Sequence, residues 1–151
     1  MVLEQIELDW SEISILINTV HEKTREWDDE NIGIIGITRG GLIPAVLLSH
    51  KKPNSTVLTV GIKSYNGTNR GQDTIYQHPD YDYLKQFKTI YLVDDICDTG
   101  LTFKNLIQKT FKGLEIKTLS LLYRKNNIFT PSVFGQVILD ENWRIFPWEK
   151  E

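Results

Sequence analysis

At 151 residues the chain has room for one domain with a proper core, and not for two. A formal net charge of −3 with no long basic run argues against a nucleic-acid partner, and the longest apolar runs are far too short to cross a bilayer. A single cysteine, Cys97, excludes an internal disulfide and fits a reducing compartment, so the cytoplasm is the expected location.

Residues 1–20 lack a basic start followed by an apolar stretch, which points away from a signal peptide. Asp9, with Glu12 three residues later, opens a helical pattern. Ile13, Leu16, Ile17 and Val20 then recur at helical spacing, which predicts an amphipathic helix over 11–27. An apolar strand follows at 32–37, then the turn Thr38-Arg39-Gly40-Gly41 and a second helix over 42–49. A strand is expected at 56–62. Residues 63–87 then read as a long loop, with Gly67, Gly71, Pro79, Arg70 and the tyrosines Tyr65, Tyr76, Tyr81 and Tyr83. A loop of that length in a compact domain is usually either functional or a disordered surface excursion, and its aromatics and Arg70 favour a lid that closes over substrate. A strand at 89–93 leads into a helix over 100–112 that Gly113 stops. Strands at 116–122 and 133–139 complete an alternation that predicts an α/β fold, a mostly parallel central sheet flanked by helices.

The chemistry concentrates where the strand at 89–93 ends. Three acids, Asp94, Asp95 and Asp98, are followed by Thr99, Gly100 and Thr102 at the start of a helical pattern. A strand running out of a sheet into a helix N-terminus is where α/β proteins place ligands, and the free N–H groups there favour an anion. Gly100 allows close backbone approach, and the threonines add hydroxyl donors. Asp94 and Asp95 suit sugar hydroxyls or a hard cation such as Mg²⁺. Together these residues read as a holder for a metal-bound sugar phosphate. Nucleotidases of the P-loop class also end a strand in acids, but their G-x-x-x-x-G-K-[ST] run is missing. Cys97 reads as a small buried spacer. His21, His50 and His78 lack the spacing of zinc ligands. The glycines after Thr38 let backbone N–H groups cradle a second anion, with Arg39 supplying a fork of donors. At the C-terminal end, Trp143 is a candidate ring platform for a planar base, and Lys125 a candidate donor to an exocyclic oxygen.

The nine residues Asp94, Asp95, Ile96, Cys97, Asp98, Thr99, Gly100, Leu101 and Thr102 resemble the phosphoribosyl-pyrophosphate (PRPP) motif of type I phosphoribosyltransferases. With Arg39, Arg70, Lys125 and the ending Trp143-Arg-Ile-Phe-Pro-Trp148, the chain is most similar to the xanthine–guanine branch, from Trp10 to Glu149. The resemblance implies a single phosphoribosyltransferase domain over 1–151, with 63–87 as lid and 124–149 as base-binding hood. It implies PRPP contacts from Arg39, Gly40, Arg70 and the nine motif residues, with Ser64 and Tyr65 also in the lid. Asp94 and Asp95 would hold Mg²⁺, and Asp98 would exchange a proton with the purine. Lys125, Trp143 and Arg144 would form the base site; Arg144 stands where isoleucine is usual, and Leu101 where some members have glycine. The loop matching 38–41 commonly carries a cis non-proline peptide in that family. The implied function is purine salvage from PRPP and guanine, xanthine or hypoxanthine, without nucleic acid or integral membrane association, in a homo-oligomer (dimer or tetramer). The alternatives are a PRPP-binding regulatory protein without catalysis and a phosphoribosyltransferase for another base.

Overall fold

In the computed structural model, residues 2–28, 30–63, 73–126 and 128–150 are described. The Asp9 side chain accepts the Glu12 N–H at 2.8 Å, an N-cap that starts helix α1 at Trp10–Thr24, followed by a short 3₁₀ turn at Arg25–Trp27. The periodic residues Ile13, Leu16, Ile17 and Val20 are all buried, so the apolar stripe faces the sheet as its spacing required.

The sheet is built from β2 (Ile32–Ile37), β3 (Ser55–Lys63), β4 (Thr74–Gln77), β5 (Thr89–Cys97), β6 (Lys117–Arg124) and β7 (Val133–Ile138), in the spatial order β4-β3-β2-β5-β6-β7. All neighbours are parallel except β3 and β4. Every residue of β2 is buried, as expected of a strand covered on both faces. Helices α1 and α2 (Leu42–Lys51) pack on one face with Ile34, Tyr91, Val93 and Leu121. On the other face Leu84 and Phe87 meet Ile35, Leu92 and Phe103. From β2 the chain crosses through α2 to β3 on one side; from β5 it crosses to β6 on the other. The crevice between the C-terminal ends of β2 and β5 is therefore the topological switch point, the place where such sheets bind ligands.

Three expectations need correction. Residues 63–87 are not one open loop: β4 pairs antiparallel with β3, and α3 (Tyr81–Leu84) buries Leu84 in the core. Alternation is short there, and tertiary pairing decides. Residues 64–72, which include Ser64, Tyr65 and Arg70, lie outside the described residues. The helix expected over 100–112 is α-helical only in α4 (Leu101–Asn105) and continues as a π turn at Leu106–Thr110, where Phe111 N–H donates to the Leu106 carbonyl at 2.8 Å. Gly113 does take the left-handed conformation, φ +88°. Finally, the C-terminal hood is tied down by a strand pair that the sequence analysis missed. β1 (Gln5–Glu7) runs parallel to β8 (Trp143–Ile145), and a 3₁₀ turn at Pro147–Glu149 follows. Strands this short carry too few residues to show a period.

Candidate active site

Strand β5 does not stop at Val93 but runs on to Cys97, because β6 continues to pair with it as far as Cys97 opposite Tyr123. Its other neighbour ends earlier: the ladder with β2 closes at Gly36 opposite Val93. From Asp94 onward, that edge of β5 faces the Thr38–Gly41 loop instead of a strand. The opening of the sheet thus coincides with the first acid of the motif.

Gly40 packs against the Asp95 carboxylate so tightly that a Cβ there would lie 2.6 Å from Asp95 Cγ. Gly41 is equally enclosed, since its Cβ would meet the Ile37 carbonyl at 2.7 Å. The Thr38–Arg39 peptide bond is cis, as the family resemblance implied for this loop. Thr38 Oγ1 accepts the Ile62 N–H at 3.1 Å and lies 3.0 Å from Tyr76 OH, so the loop is joined to the β3–β4 hairpin.

Asp94 Oδ1 accepts the Asp95 N–H at 2.9 Å, and Asp95 Oδ1 accepts the Ile96 N–H at 2.7 Å. Asp95 lines the crevice, whereas the Asp94 carboxyl is enclosed by protein. Burial, reinforced by the neighbouring Asp95, raises the Asp94 carboxyl well above the ordinary range. Burial also raises Asp95, and Glu149 adds to it. Two adjacent acids whose charge is costly in this way are suited to a cation. Among the described residues no third His, Cys, Asp or Glu joins them in a metal-binding cluster.

Cys97 is buried, and desolvation pushes its thiol up to about 12, as a spacer rather than a nucleophile requires. Gly100 has φ +85°, the left-handed region, and turns the chain into α4 against Phe129. Thr99 Oγ1 accepts the Leu101 N–H at 3.3 Å, and Thr99 and Leu101 are exposed. Asp98 is held by Arg124, whose Nε donates to its Oδ1 at 2.7 Å.

A cavity of about 880 Å³ separates this floor from the hood. Arg39, Gly40, Asp95 and Ile96 line it on one side, and Trp143, Arg144, Phe146, Trp148 and Glu149 on the other. Trp143 is half exposed, whereas Trp148 stacks on Phe146 at 4.8 Å and closes the end of the core. The Arg144 guanidinium forks onto the Asp140 carboxylate at 2.7 and 2.9 Å, so its charge is already spent on the hood's own turn. That pair holds the Asp140 carboxyl down at about 2. Lys125 lies one residue past β6, exposed and outside the cavity lining, while its neighbour Arg124 turns inward. The role of Arg124 was not legible beforehand, because two adjacent cations at a strand end look alike in sequence.

Comparison with known proteins identifies the family. The phosphoribosyl transferase domain profile matches residues 5–148. A xanthine-guanine phosphoribosyltransferase of Cereibacter sphaeroides is 30% identical over 118 residues, covering 77% of this chain and 68% of the relative. One from Idiomarina loihiensis is 27% identical over 136 residues, covering 86% and 82%. A solved purine phosphoribosyltransferase from Pyrococcus horikoshii superposes with a TM-score of 0.79 at 32% identity, over 97% of this chain and 95% of that one. Every strand described above falls within the matched domain, and the chain belongs to the phosphoribosyltransferase family.

Proposed function

We propose that this phosphoribosyltransferase serves purine salvage, joining guanine, xanthine or hypoxanthine to PRPP and releasing a nucleoside 5′-monophosphate and pyrophosphate. One observation carries the reading: beside Asp94, at the sheet's switch point, Asp95 packs against the Gly40 backbone, with an aromatic hood across the cavity. That arrangement offers a sugar-phosphate floor and a base-stacking roof at the same crevice.

In this reading the 98–102 turn receives the 5′-phosphate, and Arg39 with the 38–41 backbone receives the pyrophosphate. Arg70 of the lid joins it there. Asp94 and Asp95 hold the ribose hydroxyls and Mg²⁺, a cation that typically takes one or two carboxylates and completes its shell with substrate oxygens and water. When bound, Mg²⁺ supplies positive charge that offsets the charge of the leaving pyrophosphate. Trp143 stacks on the purine, and Lys125 folds its flexible stem over the rim to meet the exocyclic oxygen. Asp98 accepts the proton that the purine gives up as its nitrogen bonds to the ribose C1. No covalent nucleophile is needed, so catalysis rests on positioning and charge stabilisation.

The test is to incubate the protein with PRPP, Mg²⁺ and a panel of bases and to measure pyrophosphate. Turnover of 6-oxopurines, abolished by a chelator and refused to adenine, is expected. Efficient use of adenine overturns the base assignment, and undiminished turnover in excess chelator removes the metal. PRPP binding without turnover of any base leaves a regulatory protein.

A further inference from the structure

The Arg124 side chain, 18% exposed, joins two other segments of the molecule. Its Nε donates to Asp98 Oδ1 at 2.7 Å in the motif turn, and its Nη2 to the Asn142 carbonyl at 2.9 Å in the hood. Its Nη1 donates to the Asp140 carbonyl. A guanidinium spreads its donors in one rigid plane, so these acceptors are held in a single relative arrangement. The hood side of the tie is itself braced, because Arg144 Nη1 donates to the same Asn142 carbonyl at 3.1 Å while its fork grips Asp140. The motif side is braced too, because Asn126 Nδ2 donates to the Asp98 carbonyl at 2.7 Å. The Asp98 side chain nevertheless remains 39% exposed, open to a reacting group.

We infer that Arg124 is a positioning residue for the transfer step, fixing the Asp98 carboxylate relative to the hood that holds the base. One side chain thereby sets both the proton acceptor and the plane of the group that gives the proton up. The inference rests on the assignment of Asp98 as that acceptor, and it explains why an arginine stands at the end of β6. A lysine presents one nitrogen and cannot meet three diverging acceptors, although it keeps the charge.

The full-length variants Arg124→Lys, Arg124→Gln, Asp98→Asn and the double Arg124→Gln/Asp98→Asn are compared for kcat, for KM of base and PRPP, and for melting temperature. Both Arg124 variants should lose ~10–10²-fold in kcat, the cost of a misplacement of about 1 Å, with KM for PRPP little changed. The double variant should be no slower than Asp98→Asn alone, because the guanidinium acts through that carboxylate. Parental kcat in Arg124→Lys, or single effects that multiply in the double variant, overturn the inference while leaving Asp98 in place. So does a lowered melting temperature with parental kcat, the signature of a tie that only stabilises the fold. Parental turnover in Asp98→Asn removes the proton assignment itself. If Arg124→Gln fails to fold, Arg124→Lys decides between these outcomes.

Discussion

Replacing Gly40 by alanine tests whether the floor of the site depends on backbone contact with Asp95. The added Cβ would lie 2.6 Å from Asp95 Cγ and 2.9 Å from its Oδ1, distances at which something must move. The loop is poorly placed to yield. Gly41 N–H donates to the Ile37 carbonyl at 2.8 Å, and the surroundings of Gly41 leave no room for a shift toward β2. The Asp95 carboxylate therefore gives way, by about 1 Å if the contact is to return to ordinary van der Waals range. That shift breaks its bond from the Ile96 N–H, and a hydrogen bond to a charged group is worth about 1.5–3 kcal/mol. It also moves a ligand of ribose and metal, and a misplacement of that size costs ~10²-fold in rate. Gly40→Ala should thus lower kcat/KM for PRPP by ~10²-fold and weaken PRPP binding in calorimetry with Mg²⁺. Its effect on base stacking should be small, since Trp143 lies across the cavity. A kcat/KM within about threefold of the parent would refute the packing argument, since a shift of ~1 Å should cost far more.

Other expectations follow from the same geometry. Burial raises the Asp94 carboxyl, so the ligand-free folded state binds more protons than the unfolded chain, and stability falls as pH rises from about 4 through the raised value. Asp94→Asn should therefore melt higher than the parent at neutral pH without ligand, by an increment that shrinks as pH falls toward about 4, and yet be inactive; an equal or lower melting temperature counts against the burial account. Removing residues 2–7 deletes the β1–β8 ladder, the 3.0 Å bond from Glu4 N–H to Asn142 Oδ1 and the Glu7–Lys150 pair. KM for the base should then rise with PRPP affinity kept, whereas equal loss of both would mean that β1 merely stabilises the fold. Lys125→Ala should damage use of 6-oxopurines far more than PRPP binding, and unchanged base kinetics would take Lys125 out of the site. Trp143→Ala should raise KM for every base alike, because base–aromatic stacking, about 1–3 kcal/mol per base, is blind to ring substituents; a selective effect would contradict that role.

Much of this molecule was legible in one dimension. The stripe of Ile13, Leu16, Ile17 and Val20 determined α1 and its inner face, because a helix repeats often enough for its period to be read. The uninterrupted apolar run at 32–37 determined a buried strand of a parallel sheet, for only a strand covered on both faces can be apolar throughout. The order of Asp94, Asp95, Asp98, Thr99, Gly100 and Thr102 pointed to a phosphoribosyltransferase, the family to which the chain belongs. Tertiary structure decided the rest. That β5 extends to Cys97 depends on β6 lying beside it, and that Asp95 lines a crevice depends on the ladder with β2 closing at Val93. The clasp of β1 on β8 joins the two ends of the chain, and no local pattern in three residues can specify a partner so far away. Likewise Arg124 and Lys125 differ little as a sequence pair. Their roles separate only in three dimensions, where the Arg124 guanidinium lies against Asp98 and the hood while Lys125, one residue past the strand, is exposed.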